Sequence, residues 1–447
     1  MKRSLSSFLF LGAAGAVTLG ACSSSDDTSN TTGTKPTTYD TPAAAAISDG
    51  NGHQLRTFVA PVDPGAGGIV ITASGEVNAI SGYPYPPFDP SSTWMVDGWN
   101  FKIEKYIVVV DHVTLWSDPN KSPSDQSQHG PQVAHADGPF VVDLHKGGTL
   151  DGKGGGGEQA VALTTIVNQN DNGNAAFDPT LQYGFGFSTV QAPGDGSAIN
   201  VNLDASEQAD YQLMVKNGYS VYYYGTATWA GDTPGATGDF AKCSETSTGS
   251  ASPYDFTQLP QTMTFQLGFS TPTNYVNCIN YTLSEQTNAT IRGVQVSPSQ
   301  SDIEQVTVHM DHPFWESFEE DTPVHWDQIA AQYIGVTNPV AHVEDMIGVP
   351  FNPFTDKNHV VMPWRDCEAA EYTPPGNGAM SFDTLSVPQD PSGTCTGTTP
   401  ADFSTASCTG IRDYYDFMRY TQSTQGHLNS QGLCYIDRQF PSPAGGS

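Results

Sequence analysis

Apolar and polar residues alternate along Trp99 to Trp116. Phe101, Ile103, Ile107, Val109, Val113 and Leu115 fall on one parity, and Lys102, Glu104, Tyr106, His112 and Thr114 on the other. A period of two places each set on its own face, the pattern of a half-buried strand. Further strand-like runs begin at Ile69 (extending through Val77 and Ile80), Phe140, Ala160, Leu181 and Tyr219. Others cover Met263 to Phe269, Tyr275 to Leu283, Thr290 to Val296 and Ile303 to Met310. Helical signals are few. Asp204 and Glu207 form a capping-box pattern for a helix that ends before Gly218. Pro323 to Tyr333 reads as a second helix, with Thr322 as cap and Gly335 as stop, and Ile411 to Thr421 as a last one. This balance predicts a mainly β chain: an antiparallel β-sandwich core with a few short helices and an irregular, disulfide-stapled C-terminal region.

Composition divides the chain into four parts: a leader at 1–21, a flexible tether at 22–52, a sandwich body at 53–312, and a mixed helical and irregular region at 313–447 packed on the body. The tether is rich in Ser, Thr, Asp, Pro and Ala, with almost no large apolar residue to bury. In the leader, Lys2 and Arg3 precede an apolar stretch, Phe8 to Leu19, that is too short to span a bilayer. Leu19-Gly20-Ala21-Cys22 follows, and the first 22 residues closely resemble the signal and lipobox of bacterial lipoproteins. The resemblance implies cleavage before Cys22, lipidation of its sulfur and anchoring in the cell envelope. Ser23 after the cysteine, in place of Asp, then implies the outer membrane.

Charge reinforces that reading. The formal charge is −30 at pH 7, which repels nucleic acid and anionic headgroups. Acyl chains, not electrostatics, must therefore hold the protein at a membrane. Of the seven cysteines, Cys22 is the lipid site; the other six form an even set suited to disulfides in an oxidising compartment. The preferred pairing is Cys243–Cys278, Cys395–Cys408 and Cys367–Cys434. No CxxC occurs, which disfavours an all-cysteine zinc site or a thioredoxin-like redox pair.

Candidate chemistry concentrates in His309-Met310-Asp311-His312. On a strand His309 and Asp311 point to the same side, and a bend at the strand exit lets His312 join them. Two imidazoles and a carboxylate suit Cu or Zn, whereas Ca²⁺ and Mg²⁺ prefer all-oxygen sites. His325 completes the expected metal set, with Glu316 as another candidate and His145 a more distant one. Structural use of these histidines as loop caps is the competing reading. The segment also resembles the HxHxDH signature of metallo-β-lactamase-fold hydrolases, but Thr307 stands where the first histidine belongs and the alternating helix–strand pattern is absent. Gly147 to Gly154 nearly fits a P-loop but lacks the final Ser/Thr, so the Gly152 to Gly157 run reads as a flexible loop. Asn168 to Gly173 echoes the start of an EF-hand, but Pro179 replaces its bidentate Glu, so the stretch reads as a hairpin turn with a loose Ca²⁺ site as the lesser alternative. No GxSxG occurs.

Tyr83, Tyr85, Trp94 and Trp99 offer rings for stacking a sugar or peptide, which makes a surface structural or carbohydrate-interaction lipoprotein the alternative to a metal-binding one. An exported metal-dependent hydrolase ranks behind both. Finally, the order Trp99 to Leu115, Val142-Asp143-Leu144 and Tyr183-Gly184-Phe185-Gly186-Phe187 resembles the methanobactin-associated periplasmic copper-binding family over roughly residues 67 to 230. That resemblance implies a β-sandwich and copper bound partly through histidine, without placing ligands on particular residues.

Overall fold

The alternating segment Trp99–Trp116 is one continuous strand, and the larger of two sheets is built around it. The structure, a computed structural model, describes residues 38, 39, 41, 43–85, 95, 97–231, 255–315, 324–349 and 414–440. In chain order come β1 (Arg56–Thr57), β2 (Ile69–Ser74), α1 (Glu76–Ser81), β3 (Trp99–Trp116), β4 (Gln132–Ala136) and β5 (Phe140–Asp143). Then follow β6 (Leu150–Asp151), β7 (Gln159–Ile166), β8 (Gly184–Thr189), β9 (Ile199–Asn200), α2 (Gln208–Asn217) and β10 (Val221–Trp229). Next are β11 (Thr262–Phe269), β12 (Thr273–Val276), α3 (Tyr281–Thr287), β13 (Asp302–Val308), α4 (Asp327–Ala331) and β14 (Val340–Ala341). The last elements are α5 (Tyr414–Gln422), β15 (Gly426–Leu428), β16 (Gly432–Leu433) and β17 (Tyr435–Arg438).

The first sheet runs β1-β9-β5-β3-β10-β11-β14, with β4 and β8 on the far half of β3, β12 on β8 and β17 on β12. The second runs β16-β15-β13-β2-β7-β6. Most pairings are antiparallel, but β2 and β13 run parallel. Ile69, Ile71, Ala73, Val306 and Val308 of the second sheet share one buried core with Phe101, Val108, Val110 and Phe185 of the first. Two sheets closed on a common apolar layer form the expected sandwich.

Strict alternation along β3 fails at two bulges. Its register on β10 shifts between Tyr224 and Gly225, where Lys105 and Ile103 are paired and Glu104 is skipped. The second shift, against β8, lies between Asp111 and Thr114. One extra residue reverses the faces that follow it. Tyr106 therefore joins Phe101 and Ile103 between the sheets, while Ile107 and Val109 turn to a smaller core with Tyr211, Met214 and Tyr222. The single parity read from the sequence is corrected on this point.

Other expectations shift as well. The run from Ile69 stops at Ser74, and Val77 and Ile80 belong to α1. The run from Tyr275 is a short strand followed by α3, and Thr290 to Val296 makes only isolated bridges at Arg292 and Val294. The tether ends earlier than residue 52: Ile47 is buried in the smaller core, and Ala45 N–H donates to Leu203 O at 2.9 Å. At the other end, β15 and β16 extend the second sheet and β17 the first. Phe314 and Trp326 pack on Phe101, with ring centroids at 5.5 and 4.7 Å, and Phe265 stacks on it at 5.2 Å. Such pairs add about 0.5–1.5 kcal/mol each beyond area burial. Residues beyond 312 thus complete the sandwich rather than lie against it.

The same aromatic packing overturns the stacking platform. Tyr83, Tyr85 and Trp99 are buried, and Trp99 Nε1–H donates to Asp327 at 2.8 Å; Trp94 lies outside the described residues. The disulfide expectation is also corrected, because Cys278 bonds to Cys434 across a separation of 156 residues. Cys243–Cys278 and Cys367–Cys434 are therefore excluded as pairs. Local loop closure had favoured the former, whereas β12 pairing with β17 brings distant segments together. Cys22, Cys243, Cys367, Cys395, Cys408 and Glu316 lie outside the described residues.

Several carboxyls are buried, and Glu304 at the head of β13 is the clearest. Burial pushes its carboxyl up to about 7, against a hydrogen bond from Asn429 and the Lys153 charge, with Asp302 adding to the rise. A raised folded-state value means the folded protein holds its proton longer than the unfolded chain. Its stabilising contribution is complete below the ordinary value of 4.5 and is lost as pH rises through about 7. Thermal midpoints are therefore expected to fall between pH 5 and 8, with Glu304 contributing up to about 3 kcal/mol. Glu304→Gln, which keeps an acceptor for Asn429, should flatten that profile in calorimetry; an unchanged slope would contradict the assignment. Cys278→Ser with Cys434→Ser is expected to lower stability by about 2–5 kcal/mol in denaturant titration.

Candidate metal centre

The second sheet places its polar groups by register. Thr307 on β13 stands opposite Ser74 on one side and His427 on the other. Two residues further, His309 N–H donates to Gln425 O at 2.8 Å, and Glu76, which opens α1 just past the end of β2, approaches His309 from the other flank. Side chains alternate along a strand. Val306 and Val308 therefore enter the core, while Gln305, Thr307 and His309 share the other face with Ser74 and His427. That face is polar yet buried, so its groups require internal partners.

Two segments supply them. In the glycine run, Lys153 N–H donates to Gln305 Oε1 at 2.9 Å and Gly154 N–H to the Glu158 carboxylate. Gln305 Nε2 donates in turn to Glu158 Oε1 and Thr307 Oγ1, both at 2.8 Å. The turn between β15 and β16, where Asn429 and Ser430 have φ of 52° and 75°, donates Ser430 N–H to Thr307 Oγ1 at 2.9 Å. The glycine run is thus backbone cover for a polar sheet face, a different role from the flexible loop expected of it.

The histidines stand at the open end of this face. Just beyond β13 the chain bends into a 3-10 turn at His312–Phe314, which brings His312 back beside His309 and Asp311. One ligand atom from each of these three residues lies within 4.8 Å of the others. Donors around a tetrahedral Zn²⁺ sit about 3.4 Å apart, given bonds of about 2.1 Å, so side-chain shifts of roughly an ångström close the set. His427 adds a third imidazole to the group, with ring centroids 4.3 Å from His309 and 5.6 Å from His312.

Hydrogen bonds fix the tautomers. The Ser430 carbonyl can only accept, so His309 Nε2, at 2.8 Å, carries the proton donated to it. That leaves Nδ1 as the His309 nitrogen open to an ion, 3.4 Å from Glu76 Oε2. Thr424 donates its hydroxyl proton to Thr421 O at 2.7 Å and therefore accepts from His312 Nδ1, also at 2.7 Å. The His312 lone pair is on Nε2. Asp311 accepts from Trp315 Nε1–H at 3.1 Å, and the Trp315 ring lies on His312 with centroids 3.7 Å apart. Ligands oriented by such outer partners are typical of protein metal sites.

Electrostatics favour the neutral form of two of these imidazoles. Burial, with His309 and His427 nearby, holds His312 well below its ordinary value. Burial and His309 do the same to His427. The neutral ring is the form that binds metal. Burial raises the Glu76 carboxyl, opposed by His309 and the hydroxyl of Ser430.

Of the four residues expected to hold an ion, the structure brings together His309, Asp311 and His312. His325 stands elsewhere: it is fully buried with Nδ1 3.9 Å from Asp97 Oδ2, and it precedes the helix expected to carry it, which starts at Asp327. His145 Nδ1 lies 2.8 Å from Ala79 O and is also outside the group. Sequence reasoning missed Glu76 and His427. Neither has a local signature: His427 reaches the site through the pairing of β15 with β13, and Glu76 through the turn from β2 into α1. Comparison with protein-family models, curated proteins and solved structures finds no match for this chain.

Thr424→Val removes the acceptor that fixes the His312 tautomer. Zn²⁺ affinity is expected to fall about 10- to 100-fold with an unchanged far-ultraviolet dichroism spectrum, as measured by chelator competition.

Proposed function

We propose that this protein is a lipid-anchored, non-enzymatic binding protein of the bacterial cell envelope that holds Cu or Zn through His309, Asp311 and His312. The observation that carries this reading is the convergence of two imidazoles and a carboxylate within 4.8 Å, with one nitrogen of each ring held by an outer hydrogen bond so that the other is available to an ion. Mixed nitrogen and oxygen donors select Cu²⁺ or Zn²⁺ over Ca²⁺ and Mg²⁺. His309 and His312 are 7% and 1% exposed, which favours retaining an ion over presenting it to a substrate. Glu76 and His427 border the set and provide further donors as the ion is loaded.

Anchoring rests on the lipobox ending at Cys22 and on the excess of acid, which leaves acyl chains as the means of membrane attachment. Among the described residues no helix is long and apolar enough to cross a membrane. The loss of Tyr83, Tyr85 and Trp99 to the core withdraws the observation that favoured a glycan-stacking role.

Titration of the mature protein with Cu²⁺ and with Zn²⁺ tests the reading. A tight equivalent is expected, weakened at least 100-fold by His309→Ala with His312→Ala; unchanged affinity in a folded double variant would overturn it. For the anchor, Cys22→Ser is expected to abolish labelling by a fatty-acid analogue and to release the protein from the membrane fraction.

A further inference from the structure

A second group of donors lies on the first sheet, at the bulge that interrupts β3. The register of β3 on β8 shifts between Asp111 and Thr114, and His112 there adopts a left-handed φ of 49°. Bulges of this kind redirect a side chain that regular pairing would aim elsewhere. The backbone of His112 is held by Thr114 Oγ1–H, which donates to His112 O at 3.0 Å. Its imidazole is mostly exposed, with Nδ1 3.3 Å from Asp111 Oδ2.

Asp111 is only 6% exposed. Its Oδ1 accepts from the His112 and Gly138 backbone N–H groups at 2.8 and 2.7 Å, so Oδ2 is the oxygen turned to the imidazole. Gly138 can approach this closely because it has no Cβ; one placed there would meet Phe140 N at 2.3 Å and Val110 O at 2.9 Å. That close approach seats the preceding residue, Asp137, beside the pair. Asp111, His112 and Asp137 each offer a ligand atom within 4.8 Å of the other two. On the far side, His135 Nε2 stands 3.6 Å from Asp137 Oδ2, and His135 Nδ1 is 2.6 Å from Asp171 Oδ2.

We infer that Asp111, His112 and Asp137 form a second, surface site for a borderline divalent cation such as Zn²⁺, Cu²⁺ or Ni²⁺, independent of the buried centre. Asp111 is the fixed ligand, held by two backbone donors. His112 and Asp137 are exposed, and their rotamers close the set on an ion without disturbing the core. The imidazole excludes a simple Ca²⁺ or Mg²⁺ site. Water completes the coordination shell, so this ion exchanges faster and binds more weakly than one held between His309 and His312.

The test uses the mature protein, its His309→Ala/His312→Ala variant, and each of these carrying His112→Asn or Asp137→Asn. Asparagine tolerates the left-handed backbone at residue 112, so the first change removes the ring without straining the bulge. Zn²⁺ alone is titrated while the ring resonances of isotopically labelled histidine are followed. In the His309→Ala/His312→Ala protein, the His112 resonances are expected to shift with one remaining equivalent. Either asparagine change should weaken that equivalent at least 10-fold, while in the otherwise unmodified protein it leaves the tight equivalent in place. Unshifted His112 resonances, or a remaining equivalent indifferent to both changes, would overturn the surface site; neither result bears on the buried one.

Discussion

The parallel pairing of β2 with β13 sets the level of the polar groups in the buried centre. Ser74 lies opposite Thr307 at the end of that pairing, and the turn from β2 into α1 sets Glu76 beside His309. β15 fixes the other flank, with His427 opposite Thr307. A slip of one residue in either pairing would turn Val306 and Val308 out of the core and the polar set into it. Apolar packing on one face of β13 therefore positions the chemistry on the other.

Burying that polar face has a cost, met by partners rather than avoided. Gln305, Thr307 and Glu158 satisfy one another and take backbone N–H groups from Lys153, Gly154 and Ser430. The Ser430 carbonyl accepts from both His309 and His427. Fixed tautomers follow from this, as does the neutral state that burial imposes on His312 and His427. Under the proposed metal-binding role, this arrangement limits the adjustment on loading to side-chain shifts of about an ångström.

Much of the sandwich was legible in local pattern, because period-two alternation and capping signals act over a few neighbouring residues. β3 was marked by its alternation and α2 by Asp204 and Glu207, whose capping box is present. What stayed hidden depends on contacts distant in sequence or on single inserted residues. The Glu104 bulge reversed the faces of β3, and β12 pairing with β17 joined Cys278 to Cys434. In the candidate centre, His309, Asp311 and His312 were visible because strand period and bend are local. Glu76 and His427 were not, for they lie more than a hundred residues away in sequence and arrive on other elements, α1 and β15. His325 was misplaced because its position relative to β13 depends on Phe314 and Trp326 packing against Phe101.

The most direct measurement is anomalous diffraction at the zinc edge from crystals of the mature protein grown with one equivalent of Zn²⁺. The expected result is a peak bonded to His309 Nδ1, His312 Nε2 and an Asp311 oxygen, with His309 Nε2 still on Ser430 O and His312 Nδ1 on Thr424. An ordered, metal-free triad beside a peak elsewhere on the molecule would contradict the buried metal centre.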